Sequence, residues 1–177
     1  MKNCKQNKHQ TIYEHGVSVR NHLNELIEFI YDNAPLDDKW KLPEWLTTYK
    51  DRIKEKLLPK DIILEYALFH DVGKPRCLVE DAQGSHFPDH ANVSADYWIE
   101  SGGDPQIGRL IRMDMDIHLL KNDGVPEFCQ RTECITLLLT GLAEVHSNAS
   151  MFGGKDSTSF KIKWKQINKR GNAIFNN

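Results

Sequence analysis

The sequence predicts an all-α fold in a single domain. Apolar residues recur at three- and four-residue spacings along most of the chain. The gaps between these stretches carry Pro, Gly, Asn or Asp, the residues that stop helices. No stretch alternates firmly at the two-residue period of a strand. The 177 residues suffice for one buried core, and neither an internal repeat nor a linker composition divides them. The expected core covers about residues 11–150, with a basic C-terminal segment over 151–177.

Each helix has its own signature. Over residues 17–31, Val19, Leu23, Leu26, Ile27 and Ile30 share one face, and Asn33-Ala-Pro35 ends the run. Residues 32–43 read as a polar loop. A charged, more exposed helix follows over 44–58, stopped by Pro59. Residues 60–70 are apolar almost all round, which predicts a central, buried helix. Residues 76–88 read as a loop with an Asp-Ala-Gln-Gly turn. The next helix covers 89–100, closed by Gly102-Gly103. Asp104 then serves as N-cap with Pro105 at the first position, and that helix runs to about residue 115. After the loop KNDGVPE comes a strongly apolar helix over about 132–149. The tail motif SFKIKWK alternates like a strand, yet Phe160, Trp164 and Ile167 also line one helical face, and helix is the expectation.

Composition narrows the function. The formal net charge of −2 gives the whole molecule no polyanion-binding signature. No run of about 18 apolar residues could span a membrane. The stretch MKNCKQNKHQ has no apolar signal core, so a cytoplasmic protein is expected. The cysteines Cys4, Cys77, Cys129 and Cys134 lack CxxC spacing and read as reduced thiols.

Residues 69–75 read FHDVGKP, with His70 and Asp71 side by side where an apolar helix ends. Neighbours on a helix diverge by about 100°, so both can face one site only where the backbone angles change. His15, His90 and His118 also stand near ends of expected helices, where they can converge on one mouth of a bundle. Imidazole and carboxylate donors suit Mn, Fe, Co, Ni or Zn, with Mg also possible. An aspartate can bridge two such cations, and a water between them becomes a nucleophile for phosphoester hydrolysis.

These motifs carry a resemblance. YEHGVSV (His15), FHDVGKP (His70, Asp71) and the late helix LLLTGLAEVHSNA resemble the HD superfamily of metal-dependent phosphohydrolases. HDVGKPRCLVEDAQGSHFPDHANVSA is similar to the HD domain of bacterial CCA-adding tRNA nucleotidyltransferases, with no counterpart of their polymerase domain. The resemblance covers about residues 11–150 and implies an HD-type helical bundle. It implies that His15, His70 and Asp71 ligate a divalent metal, and that His90 and His118 hold a second. The family ends its ligand set with an aspartate in an Ala-Asp step. Here that step is Ala143-Glu144. Glutamate, one methylene longer, would ligate after a backbone or rotamer shift, or not at all.

The implied activity is hydrolysis of a phosphomonoester or phosphodiester of a nucleotide or related compound. Lys74 would hold a phosphate, His86 would contact it or protonate a leaving oxygen, and Asn148 would touch substrate. Each also has a plain reading as a surface lysine, a turn residue and a hydrogen-bonded amide. His22 and the lone positions otherwise read as structural. Two rival classes remain open at this stage: an HD-type di-iron oxygenase, and a non-catalytic nucleotide-binding regulator with a degenerate site. The tail lysines Lys155, Lys161, Lys163, Lys165 and Lys169, with Arg170, Phe160 and Trp164, leave nucleic-acid contact open beside a core-packing role.

Overall fold

A computed structural model describes residues 1–6, 10–82 and 84–177; His9 and the Gln83 of the expected turn lie outside the described residues. The chain is mostly helical, as the periodicity predicts. The first helix, α1 (Ile12–Asp32), starts earlier than its apolar face. Thr11 accepts from the Glu14 amide and Glu14 reaches back to Thr11, a reciprocal cap. Asn33, left-handed at φ 57°, closes it.

The expected helix over 44–58 is two pieces, α2 (Glu44–Thr48) and α3 (Lys50–Lys56). Tyr49 leaves helical geometry between them, and Trp45, Leu46 and Ile53 turn inward. Helix α4 (Lys60–Phe69) follows Pro59, and a 3-10 turn (Lys74–Arg76) holds Pro75. The loop expected over 76–88 contains a small antiparallel hairpin, β1 (Val79–Asp81) and β2 (Gly84–His86). Its strands are three residues long with every residue exposed, too short and too polar to show a period.

Helix α5 (His90–Glu100) leads to α6 (Pro105–Arg112), capped by Asp104 as expected. α6 stops three residues short of the expected end, and a separate turn of helix, α7 (Asp116–Leu119), follows. The KNDGVPE loop is partly helical: a 3-10 turn (Asn122–Gly124) runs into α8 (Val125–Cys129). Helix α9 (Cys134–Ser147) is the apolar late helix, and the tail is α10 (Thr158–Phe175) rather than a strand.

The core lies where α1 packs between α4 and α9, with α6 on α4 and α10 on α9. α9, rather than α4, is the most enclosed helix. Each of its residues is buried except Glu144. On α10, Phe160 and Ile167 are buried and Lys161, Lys163, Lys165 and Lys169 face outward, the pattern of a packed helix with a solvated face. All four cysteines are free, and no described helix is long and apolar enough to cross a membrane.

Close approach of α1 and α4 depends on Gly16. A Cβ there would lie 2.1 Å from the Leu68 carbonyl oxygen, a backbone atom that cannot swing aside. Gly16→Ala is expected to cost roughly 1–3 kcal/mol through forced separation of the two helices. Gly124→Ala is the control, since its Cβ would meet only a Leu120 methyl at 3.4 Å. Urea midpoints of both variants check this; equal midpoints would contradict it.

Candidate metal centre

The site begins where α4 ends. After Phe69 the backbone tightens, with Val72, Lys74 and Arg76 amides donating to the carbonyls of Phe69, Asp71 and Gly73. These three-residue bonds wind the chain faster than an α-helix. That winding brings the neighbours His70 and Asp71 to one side, both about 1% exposed. Gly73 is not needed for an unusual turn, because its φ is −87°. It is needed for space: a Cβ would lie 2.5 Å from the Ser94 amide nitrogen of α5. The Gly73 amide donates to Ser94 Oγ at 2.9 Å, which ties the HD turn to the helix that starts with His90.

Around this turn the described residues form a chain of close donors. His15 on α1, fully buried, places Nε2 3.7 Å from Asp71 Oδ2 and 4.0 Å from Glu144 Oε1. His70 Nε2 is 3.3 Å from Asp71 Oδ2. His90 Nε2 is 3.7 Å from Asp71 Oδ1. His118 Nε2 is 2.8 Å from Glu144 Oε2. Thus His15, His70, Asp71, His90, His118 and Glu144 meet in one place, from five segments of the chain.

Two further features bear on a cation. His15 Nε2, His70 Nε2 and Asp71 Oδ1 are buried without any hydrogen-bond partner, a costly arrangement unless another group satisfies them. His15, His70 and Asp71 also bring donor atoms all within 4.8 Å of one another. Donors bound about 2.1 Å from one cation stand about 3.0 Å apart at a right angle and about 4.2 Å apart when opposed. The separations from 3.3 to 4.0 Å fall inside that window. The 2.8 Å His118–Glu144 contact is a hydrogen bond that would open slightly. The residues therefore fit a metal ion.

The second-rank candidates divide. Lys74 is buried and its Nζ donates to Asp71 Oδ2 at 2.6 Å and to Gln6 Oε1 at 3.1 Å, so here it answers Asp71 rather than facing solvent. Asn148 caps α9 with a buried Oδ1 that has no partner. His86 does not join the cluster. It ends β2, half exposed, beside Asp81 at 3.1 Å across the hairpin. His22 bonds Ser18 and packs on Trp40, and His146 bonds Leu142 and Lys41, both structural roles.

Sequence reasoning missed Asp114. It is 4% exposed, and the Tyr66 hydroxyl donates to its Oδ1 at 2.5 Å. Tyr66 precedes His70 by four residues and Asp114 precedes His118 by four, and the Asp114 carboxylate raises the pKa of both imidazoles. Those matching spacings were the available signal; Tyr66 read simply as core. Arg170 was the other omission. Its guanidinium donates to the carbonyls of His118 and Leu120, so α10 holds α7 in position.

Burial and charge set the protonation states. Burial, helped by His70, pushes His15 down to about 4, so it is neutral. Burial opposes a charge on His70, but Asp71 and Asp114 outweigh it and hold its pKa up at about 10. Burial would raise Asp71, yet His70 and Lys74 hold it well below the usual range. Glu144 is likewise lowered, against burial, by His118, which it raises in turn. Burial raises Asp114.

Comparison with protein-family models, with curated proteins and with solved structures finds no match.

The charge pattern predicts proton release on metal binding. His70 and His118 must give up protons before their lone pairs can ligate. Both have raised pKa values, so both hold protons below their folded values and lose them as pH rises. Affinity for Mn or Zn is expected to climb with pH, by about one decade per unit between about pH 6 and 8 from the His70 proton alone. Calorimetry in buffers of different ionisation enthalpy counts the protons. A pH-independent affinity with no proton release would contradict it.

Proposed function

We propose that the chain is a metal-dependent phosphohydrolase of HD type, acting on a phosphomonoester or phosphodiester of a nucleotide or related compound. One observation carries the reading: the buried His15 Nε2 and His70 Nε2 have no hydrogen-bond partner and stand at cation-sharing distances from the buried Asp71 carboxylate. Bound there, a divalent cation would supply Lewis acidity to a phosphoryl oxygen and lower the pKa of an attacking water.

The residues of the chain divide the remaining work. Asp71 holds a carboxylate in place between two histidine sets, and its charge is maintained at neutral pH by its basic neighbours. His90, His118 and Glu144 are each about one-fifth exposed and form the open side, where a phosphate would enter. Lys74 is the ready counter-charge. Beside the Asp71 carboxylate, its ammonium would hold an incoming phosphate as a point charge. The Phe87 ring beneath Lys74 Nζ, 5.3 Å away, gives it a nearby resting place. The Tyr66–Asp114 pair supports the floor on which His70 and His118 stand.

The test is hydrolysis of p-nitrophenyl phosphate and bis-p-nitrophenyl phosphate with Mn, Ni, Co or Mg added to metal-stripped protein. Asp71→Ala is expected to abolish turnover and metal retention together. It also leaves His70 and Lys74 without their carboxylate, a loss worth about 3–5 kcal/mol, so its fold is checked by circular dichroism. His15→Ala removes a neutral ligand and is the milder second variant. Lys74→Ala is expected to raise KM more than it lowers kcat, with metal retained. Full turnover in folded Asp71→Ala or His15→Ala would overturn the reading, and so would oxygen consumption in place of hydrolysis.

A further inference from the structure

We infer that Glu144 is a bridging ligand, one oxygen to each of two cations, so that two carboxylates rather than one span the metal pair. The inference rests on the proposed reading only in needing cations at this site; it does not depend on the reaction. The observation behind it is how the histidines are sorted between oxygens. Asp71 turns Oδ2 to His15 and His70, at 3.7 and 3.3 Å, and Oδ1 to His90 at 3.7 Å. Glu144 does the same. Its Oε1 faces His15 at 4.0 Å and its Oε2 faces His118 at 2.8 Å.

Two positions follow. An inner one lies among His15, His70, Asp71 Oδ2 and Glu144 Oε1, its histidines and aspartate no more than 2% exposed. An outer one lies among His90, His118, Asp71 Oδ1 and Glu144 Oε2, whose histidines are 19 and 23% exposed. Side-chain length decides whether Glu144 can serve both. α9 cannot roll to re-aim it, because every other residue of that helix is buried. An aspartate would draw the carboxylate back by about 1.5 Å toward α9, and with Oε1 already 4.0 Å from His15 Nε2 it could not face both sets. The extra methylene is therefore what lets this position bridge.

The experiment titrates Mn(II) into metal-stripped wild type, Glu144→Asp, Glu144→Gln and His118→Ala near neutral pH. Calorimetry gives stoichiometry, and electron paramagnetic resonance tells a coupled pair from isolated ions. Wild type is expected to take two Mn(II) per chain with an exchange-coupled spectrum. Glu144→Asp and Glu144→Gln are expected to keep the inner ion and weaken the outer one roughly tenfold or more, so that at two Mn(II) per chain much of the coupled signal gives way to isolated ions. His118→Ala should lose the outer ion alone. Two coupled ions bound with unchanged affinity in both Glu144 variants would overturn the inference and leave the phosphohydrolase reading standing, as would a single ion in wild type. No Mn(II) uptake by wild type would overturn both. A coupled signal that gives way to isolated ions in the Glu144 variants, in a protein that cleaves no phosphoester, would support the bridge and remove only the reaction.

Discussion

A carboxylate as deeply buried as Asp71 must have its charge answered, and the rest of the structure is arranged around that demand. Left alone in a low-dielectric interior, an ionised carboxylate would take up a proton. Here His70 and Lys74 come from the same short turn to prevent it. That turn requires α4 to stop and tighten, Gly73 to admit the α5 backbone, and Gly16 to bring α1 close enough for His15. The imidazole of His15 then arrives uncharged, because burial outweighs the nearby acids. The Asp71 charge is thus answered by His70 and Lys74. A cation would share that task rather than enter an empty space.

Much of this was legible in the sequence because the determinants are local. The apolar faces of α1 and α9, the Asp104-Pro105 start of α6 and the Pro59 break before α4 each depend on a few adjacent residues. The HD turn was legible for the same reason, and the six ligand candidates do converge. What stayed hidden depends on contacts distant in the chain. The hairpin at Val79–Asp81 and Gly84–His86 has no buried face to give it a pattern. It carries His86 away from the cluster. Asp114 is one of two acids in MDMDIH, and only packing of α6 on α4 sets it against Tyr66. The buried contact of Lys74 with Asp71 likewise depends on the fold rather than on any local pattern.

The tail shows how one sequence pattern can serve two ends. Its lysines with Phe160 and Trp164 could have read as a nucleic-acid strip. Phe160 is instead fully buried, and the Trp164 indole donates to the Lys41 carbonyl. What α10 contributes to the site is mechanical: Arg170 grips the carbonyls of His118 and Leu120 and so fixes the short α7. A four-residue helix has too few internal bonds to hold an imidazole in place alone. The outer edge of the site therefore depends on residues outside the motif-bearing part of the chain.

The same reasoning bears on Glu144. A helix buried on all sides has its rotation fixed by packing, since any roll would open cavities and expose apolar surface. The direction in which residue 144 points is then decided by the core, far from any chemistry. Only the length of its side chain remains adjustable. In this chain the length chosen places one oxygen near His15 and the other on His118. The length of Glu144 is therefore not slack in the structure. It is a fitted part, because the separation between the inner and outer histidines is itself set by α1, α5 and α7, and the carboxylate must span whatever gap those helices leave.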